Sequence, residues 1–235
     1  MGFQTSDTCF AGVRRQIMFL LFLLYNSMYM DSKINFPSKH GHNQIKICVS
    51  GAAETGNCGL NALEKAKELG REIARQGAVL VTGATTGFPL WAAMGVKEEG
   101  GISIGISPAA SEREHVEVYK LPIDYMDLII YTGFGYPGRD LLLTRSTDAV
   151  VCGCGRIGTI HEFTIAFEDG KPIGIYKGPW EMGAELEEIV AKGHRPNAKI
   201  VSGEDSKKLL EDLITIIKKD KVTEYKIIGS SPSLV

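Results

Sequence analysis

The segment AVVCGCGRIGTIHEF, residues 149–163, changes pattern twice within fifteen residues. AVVC is a short apolar run typical of a buried strand, GCGRIG is rich in glycine, and TIHEF begins a helix. The three glycines spell G-x-G-x-x-G. A strand, a glycine-rich turn and a helix in this order are typical of α/β proteins that hold a phosphate at the start of the helix.

The same alternation of short apolar runs and longer amphipathic stretches extends over residues 45–220. Predicted strands occupy 45–50, 78–83, 102–107, 128–133, 149–153 and 173–178. Predicted helices include 60–77, 88–101, 139–147 and 206–220. Because the strands are nearly all apolar and alternate with helices, they predict an α/β fold: a doubly wound, mostly parallel Rossmann-like sheet with helices on both faces. Residues 221–235 are predicted to be a tail.

The composition excludes several classes of protein. A formal net charge of −2 offers no basic surface, so we expect no nucleic-acid partner. The five cysteines are too few and too scattered for a disulfide framework, and no histidine pair joins them at the spacing of a metal site. We therefore expect small buried thiols, no metal, and a cytoplasmic location.

Residues 1–44 differ from the rest and are expected to lie outside the fold. Their apolar run, Ile17 to Tyr25, is too short to cross a bilayer, which takes about 20 residues in a helix, so no stable membrane insertion is expected. Three origins stay open: translation that begins at Met28 or Met30, a membrane-associating helix, or a secretory signal without the usual small-residue cleavage site. Residues 1–29 are expected to be dispensable for folding.

Four loops that follow predicted strands are rich in glycine and hydroxyl residues: 50–59, 82–87, 132–139 and 153–159. The carboxyl ends of parallel strands share one edge of a sheet, where ligands of α/β proteins bind. Glycines there allow a ligand to approach backbone N–H groups closely. The predicted ligand- or phosphate-binding residues are Gly51, Gly83, Thr85, Thr86, Gly133, Gly155, Arg156, Gly158 and Thr159.

The G-x-G-x-x-G itself has several interpretations. A dinucleotide fingerprint belongs in the first βαβ unit and needs an acidic residue about 20 positions later, whereas this motif follows a late strand and Lys177 stands near that position. Thr159 and Glu162 also form T-x-x-E, which predicts a capping box at the start of the helix. If the glycine-rich loop instead binds a phosphate, the helix begins at the same place, but the Glu162 side chain points in a different direction than in a capping box.

The run GRDLLLTRSTDAVVCGCGRIGTIHE, residues 138–162, resembles the Lonely Guy (LOG) family and the wider SLOG superfamily of Rossmann-like nucleotide-binding proteins. In that family an arginine precedes a strand that is followed by P-G-G-x-G-T-x-x-E, and Arg139 and Glu162 match in type and spacing. Cys154 and Arg156 replace the proline and the second glycine. TGFGYPGRD, residues 132–140, is more similar to the branch that contains molybdenum-cofactor carriers, although Asp140 stands where either branch has lysine or asparagine.

The resemblance implies two functions. The first is hydrolysis of the N-glycosidic bond of a nucleoside 5′-monophosphate, with Arg139 and Glu162 as the catalytic residues and no cofactor required. The second is a non-catalytic carrier or sensor of a phosphate-bearing, nucleotide-like ligand such as the molybdenum cofactor. A Rossmann-like domain that serves mainly in assembly is a third possibility. A homodimer or larger homo-oligomer is expected.

Three further polar residues lie near these positions in the sequence. Glu54 and Asp140 are the candidates for a second carboxylate, but both are expected to be solvated loop acids. His161 lies about 100° around the helix from Glu162, so the two do not share a face. We expect His161 to be a surface or helix-capping residue.

Overall fold

The computed structural model describes residues 44–195 and 199–220. These residues form seven strands: β1 (Lys46–Ser50), β2 (Val79–Thr82), β3 (Ser103–Ser107), β4 (Leu128–Tyr131), β5 (Ala149–Cys152), β6 (Ile173–Tyr176) and β7 (Ile200–Gly203). Helices follow the strands in strict alternation: α1 (Ala62–Arg75), α2 (Phe88–Glu98), α3 (Glu112–Glu117), α4 (Gly135–Arg145), α5 (Ile157–Glu168), α6 (Met182–Lys192) and α7 (Ser206–Asp220). The predicted alternation of strands and helices is confirmed.

All seven strands are parallel and lie in the order β4-β3-β2-β1-β5-β6-β7. The chain builds outward from β1 in one direction and then returns to β5 to build in the other. Since parallel crossovers are right-handed, this reversal places helices on opposite faces. Accordingly α1 packs on α2 and α7, while α4 packs on α5. The predicted doubly wound Rossmann-like fold is confirmed.

Burial follows position in the sheet. Residues of β2, β5 and β6 are buried throughout, because helices cover both faces of central parallel strands. The edge strand β4 is different: Leu128 and Ile130 are exposed. The helix that precedes β4, α3, has only six residues, which leaves part of this edge uncovered.

Three elements have no counterpart among the sequence predictions. Helix α3 lies in an acidic stretch without apolar periodicity, and β7 is a four-residue edge strand. Helix α6 follows GPWE, where the sequence has no strong start signal. Helix α4 also begins at Gly135, four residues before the predicted start, because Pro137 fits the first turn of a helix. This earlier start places Tyr136 and Arg139 three residues apart on one helix.

The predicted extension 1–44 and tail 221–235 fall outside the described residues, apart from Gln44. The interpretations of the apolar run at 17–25 stay predictions. Within the described ranges, no helix has the length and apolar character needed to cross a membrane.

Candidate functional site

A cavity of about 410 Å³ opens at the carboxyl ends of β1 and β5, where the strand order reverses. Open α/β sheets bind ligands at this topological switch point. The loops after β1, β2 and β5 line the cavity together with the first turns of α4 and α5. The structure brings most of the predicted site residues to its wall: Gly51, Gly83, Thr85, Arg139, Arg156, Gly158, Thr159 and Glu162.

Backbone hydrogen bonds join the loops around the cavity into one unit. Gly153 N–H donates to Ser50 O at 3.0 Å, and Ala52 N–H donates to Cys154 O at 2.8 Å. These bonds continue the β1–β5 pairing past the ends of both strands. Phe88 N–H then donates to Ala52 O at 2.9 Å, which connects the loop after β1 to the start of α2.

A disulfide also connects the loops after β1 and β5. Cys58 and Cys154 are bonded, with their Cα atoms 5.5 Å apart, and they lie 96 positions apart in the sequence. The expectation that the cysteines are unpaired thiols is wrong for this pair, because the fold brings together two positions that are remote in the sequence. Cys48 and Cys152 are free and buried, as expected. Within the described residues, no cluster of side chains is suited to hold a metal ion.

Gly51 lines the cavity wall, and close packing also requires a glycine at this position. A β-carbon at Gly51 would lie 2.7 Å from the Phe88 side chain, and one at Gly153 would overlap the same ring. Phe88 is fully buried beneath both loops. These glycines therefore let the loops lie flat on an aromatic ring, and backbone lines the cavity at this point.

Helix α5 starts without a capping box, so that prediction is wrong. Arg156 occupies the N-cap position with no side-chain cap, and Thr159 is the third residue of the helix. The Glu162 side chain turns inward and accepts a hydrogen bond from Ser50 Oγ instead of reaching back to the helix start. Thr159 N–H donates to Arg156 O at 2.9 Å, whereas the N–H groups of Ile157 and Gly158 come too early in the helix for a partner within it, so they can bind an anion in the cavity.

Three predicted residues lie off the cavity wall. A β-carbon at Gly155 would overlap the Thr159 side chain, so the glycine leaves room for Thr159 at the start of α5. Thr86 donates its hydroxyl to Ala53 O at 3.2 Å, and Gly133 donates its N–H to Ala109 O at 2.9 Å in the turn before α4. These residues shape the loops around the cavity.

Four polar side chains meet at the floor of the cavity: Ser50, Arg139, Asp140 and Glu162. The last three are each exposed by 7% or less. Glu162 accepts a hydrogen bond from Ser50 Oγ, and Asp140 is close enough to raise the pKa of Glu162.

Arg139 lies beside Asp140 and Glu162, but not all of its N–H groups find a hydrogen-bond partner there. Its Nε is 3.0 Å from Asp140 Oδ1, yet the angles do not fit a hydrogen bond. Arg139 Nη1 and Asp140 Oδ1 have no hydrogen-bond partner among the described residues. A buried donor and a buried acceptor left unpaired are costly, so this pair is well suited to a ligand that supplies the missing partners.

The environment shifts the pKa of Glu162. Burial raises this pKa to about 7, the Asp140 charge raises it as well, and the Arg139 charge opposes both. Burial also raises the pKa values of the Cys48 and Cys152 thiols, and the nearby Glu162 charge raises them further. A carboxyl group that changes charge near neutral pH in a cavity is typical of a functional site.

The sequence analysis missed the positions of Asp140 and His161. Asp140 was expected in solvent, but it is buried, because α4 begins early and turns it toward α5. Its Oδ2 lies 2.8 Å from His161 Nδ1. His161 is therefore tied to the floor of the site although its side chain is 44% exposed. Asp140, on another helix, thus pairs with His161 and also raises the pKa of Glu162.

The rim of the cavity combines an ion pair and an aromatic ring. Arg156 pairs with Glu54 across the mouth, and both side chains are mostly exposed. The half-exposed Tyr136 lines the cavity, with the Arg139 guanidinium over its ring at 5.7 Å from the centroid. Tyr136 was not predicted as a site residue because its segment was interpreted as a loop.

Comparisons with known proteins agree with this architecture. An uncharacterized protein of Archaeoglobus fulgidus is 30% identical over 135 residues, which are 57% of this chain and 83% of that one. The structure of the molybdenum cofactor binding protein from Rippkaea orientalis is 27% identical with a TM-score of 0.59, covering 75% of this chain and 97% of that one. The Moco carrier protein from Chlamydomonas reinhardtii is 26% identical with a TM-score of 0.61, covering 75% and 99%.

The family model of the SLOG cluster4 family matches residues 44–210, which include every strand and all the residues that line the cavity. The resemblance inferred from Arg139, Glu162 and the glycine-rich turn is confirmed. This chain belongs to the SLOG cluster4 family.

Proposed function

We propose that this protein binds a phosphorylated, nucleotide-like ligand in the cavity between β1 and β5 and acts as a carrier of it. The observation that carries the proposal is the unpaired Nη1 of the buried Arg139, which lines the same cavity as the uncapped start of α5. The ligand class is a pterin phosphate such as the molybdenum cofactor, or a nucleoside 5′-monophosphate.

The phosphate has a place at the start of α5. The N–H groups of the first turn and the helix dipole attract an anion, and Ile157, Gly158 and Thr159 of this turn line the cavity. Arg156 stands at the rim and can add a charge-assisted hydrogen bond if it exchanges its Glu54 partner for the ligand.

The floor suits the part of the ligand that carries no phosphate. Arg139 Nη1 offers a donor and Asp140 Oδ1 an acceptor, both buried and unpaired. A group with an acceptor beside a donor, such as a ring amide or a pair of hydroxyls, would satisfy both atoms at once. Pterins, purines and ribose all carry such groups.

The structural relatives support the carrier. The Rippkaea orientalis protein and the Chlamydomonas reinhardtii protein are described as binding or carrying the molybdenum cofactor, and each aligns over most of its own length.

One observation favours the alternative, an N-glycosidase that releases the base from a nucleoside 5′-monophosphate. Glu162 is buried in the cavity, and its pKa, raised to about 7, suits a group that exchanges protons at neutral pH. With Arg139 beside it, Glu162 would stabilise positive charge on the ribose in this alternative.

A binding assay and a turnover assay separate the two functions. Calorimetry should detect binding of AMP, GMP or isolated molybdenum cofactor, and weaker binding of adenosine and guanosine, which lack the phosphate. Chromatography of long incubations with AMP and GMP should find no free base. Failure of every phosphorylated compound to bind better than its dephosphorylated analogue contradicts the proposal. Base release by the wild type that is lost in Glu162→Gln establishes the hydrolase.

The proposal includes self-association through the β4 edge. Exposed apolar side chains concentrate between residues 116 and 142, among them Leu128, Ile130, Phe134 and Leu142. Exposed apolar side chains that form a patch are typical of protein interfaces. Light scattering should find a dimer or larger assembly that Ile130→Lys weakens, while Leu60→Lys, at an exposed residue outside this segment, leaves it intact. A wild-type protein that is monomeric in solution would contradict the proposed self-association.

A further inference from the structure

The first two turns of α4 present three side chains to the cavity. Tyr136, Arg139 and Asp140 have the spacing i, i+3 and i+4, which places them on one face of the helix, and all three line the cavity. The Arg139 guanidinium lies over the Tyr136 ring at 5.7 Å from the centroid, and its Nε is 3.0 Å from Asp140 Oδ1. The three side chains therefore form one continuous surface, which we call the α4 face.

Asp140 contributes a hydrogen-bond acceptor to the α4 face. Its Oδ2 is 2.8 Å from His161 Nδ1, which fixes the orientation of the carboxyl group. Its Oδ1 is buried and has no hydrogen-bond partner among the described residues. Oxygen atoms of an ionised carboxyl group accept hydrogen bonds and donate none. Because an unpaired buried acceptor is costly, a ligand that brings N–H or O–H donors to Oδ1 binds more tightly.

Arg139 and Tyr136 add a donor and an aromatic plane. Arg139 Nη1 is also buried and unpaired within the part of the chain that the structure describes, and a guanidinium group donates hydrogen bonds but accepts none. The Tyr136 ring is half-exposed, and the Tyr119 ring packs against it at 5.5 Å between centroids and at 82°. Proteins bind nucleobases by stacking them on aromatic rings and by hydrogen bonds to their edges. The α4 face thus suits a planar heterocycle better than a sugar.

We infer that the α4 face selects a 2-amino-4-oxopyrimidine ring, which guanine and pterins share, and that Asp140 is the residue that determines this specificity. Along one edge this ring carries a carbonyl oxygen, a ring N–H and an amino group in a row. The carbonyl oxygen accepts from Arg139 Nη1, and the two adjacent donors face the lone pairs of Asp140 Oδ1. The ring plane stacks on Tyr136. This inference rests on the proposed function and narrows its ligand class.

Other bases satisfy the α4 face only in part. Adenine has a ring nitrogen that accepts from Arg139 and one amino group that donates to Asp140, but no second donor beside it. Hypoxanthine keeps the carbonyl oxygen and the ring N–H of guanine but lacks the amino group. Each therefore leaves one lone pair of Asp140 Oδ1 without a partner, so AMP and IMP should bind more weakly than GMP.

Calorimetry on the full-length chain with GMP, IMP and AMP tests the selection. IMP differs from GMP only in lacking the amino group, so it is the matched ligand. The wild type should bind GMP about tenfold or more tightly than IMP or AMP, since a hydrogen bond to a charged group is lost with the amino group. Equal affinities for GMP and IMP overturn the inference.

Asp140→Asn separates selection from a structural role. An asparagine amide places a donor beside an acceptor, the pattern that pairs with adenine rather than guanine. The preference for GMP over IMP should be lost, and the affinity for AMP relative to GMP should rise about tenfold or more. If the variant weakens all three nucleotides by the same factor, Asp140 merely supports the fold and the inference fails. The control is Asp124→Asn, at an exposed aspartate away from the cavity wall, which should keep the wild-type order.

Tyr136→Leu tests the aromatic plane. Loss of base stacking should weaken GMP binding about fivefold or more. Ribose 5-phosphate carries the phosphate but no ring, so it should bind the wild type and Tyr136→Leu alike. Tyr136→Phe keeps an aromatic ring and should lose less affinity for GMP than Tyr136→Leu does. Equal weakening of GMP and ribose 5-phosphate would show that Tyr136 shapes the phosphate site, and would overturn its role in stacking.

The unphosphorylated nucleosides separate this inference from the proposed function. If GMP binds no better than guanosine, but guanosine binds more tightly than inosine and adenosine, the α4 face stands and the proposed function fails. If the three nucleotides bind better than their nucleosides but equally with one another, the function stands and selection by Asp140 fails. A protein that binds none of these compounds contradicts both.

Discussion

The guanidinium group of Arg139 occupies the space in which any residue other than glycine at position 83 would place its β-carbon. A β-carbon added to Gly83 would overlap Nη1 of Arg139 and lie 2.5 Å from its Cζ. The three nearest atoms all belong to the end of this one side chain. Gly83 was predicted as a ligand contact, and it does line the cavity, but its absent side chain also sets where the Arg139 donors point.

Gly83→Ala should therefore weaken AMP binding while changing stability little. The atoms nearest to the new methyl group belong to the end of a long side chain, which can move, so the fold can accommodate the methyl group. Loss of a charge-assisted hydrogen bond costs about 1.5–3 kcal/mol, so the dissociation constant should rise about tenfold or more. Calorimetry and thermal melting measure the two effects.

A double-mutant cycle supplies the control. In an Arg139→Ala background the atoms that obstruct the methyl group are gone, so Gly83→Ala should have no further effect on affinity. Gly56→Ala, where a β-carbon meets no atom within 4 Å, should be silent in both backgrounds. Additive losses at positions 83 and 139 would contradict this role for Gly83.

The stability of the protein should fall as the pH rises toward neutrality, because Glu162 must ionise in a buried site. An unfolded glutamate has a pKa near 4.3, whereas burial raises the pKa of Glu162 to about 7. The folded state thus binds more protons in this interval, so its stability is greatest at low pH and is lost as the pH rises through about 7. Glu162→Gln should remove this dependence.

Urea denaturation checks the sign. Between about pH 5 and pH 8, the wild type should lose about 2–3 kcal/mol of unfolding free energy relative to Glu162→Gln. Ser50→Ala should increase the loss, since the Ser50 hydroxyl stabilises the ionised form of Glu162 and lowers its pKa. Glu54→Gln, at an exposed carboxyl group, should leave the loss unchanged. The same pH dependence in Glu162→Gln as in the wild type would exclude this assignment.

The Cys58–Cys154 disulfide should stabilise the oxidised protein, because it closes a long loop in the unfolded chain. Disulfides of this kind contribute about 2–4 kcal/mol. Cys58→Ala should lower the unfolding free energy by that amount under oxidising conditions and should not respond to dithiothreitol. The reduced wild type should match Cys58→Ala. Thiol titration of the unfolded, oxidised wild type should find three free cysteines, the five of the chain less the bonded pair; five would contradict the pairing.

Local sequence patterns were sufficient for six of the seven strands, all but β7. Buried parallel strands are nearly all apolar, so β1, β2 and β5 could be recognised one at a time. Arg139 and Glu162 were found through the resemblance to the LOG family, whose arginine and glutamate they match in type and spacing.

The rest of the site depends on contacts between segments that are remote in the sequence. His161 lies 21 residues from Asp140, and Cys58 lies 96 residues from Cys154. No periodicity relates such positions, because pairings of this kind are fixed only when β1, α4 and α5 meet at the switch point. Asp140 was misassigned for a related reason: the helix was predicted to begin only at Arg139, which left Asp140 at its exposed end, whereas the helix begins at Gly135.

A proline substitution at Ile157 tests whether the backbone at the start of α5 binds the phosphate. Ile157 is the first residue of the helix, its side chain is 79% exposed, and the extended backbone of Arg156 suits the residue before a proline. Ile157 also lines the cavity, so Ile157→Pro should remove one N–H group at this wall without disturbing the helix. Loss of a charge-assisted hydrogen bond predicts about tenfold or greater weakening of AMP binding, with an unchanged or slightly higher melting temperature.

Ile157→Ala removes the same side chain but keeps the N–H group, so it should bind AMP like the wild type. Adenosine, which lacks the phosphate, should bind both variants alike. If Ile157→Pro and Ile157→Ala have equal affinity for AMP, the phosphate does not bind at this helix start.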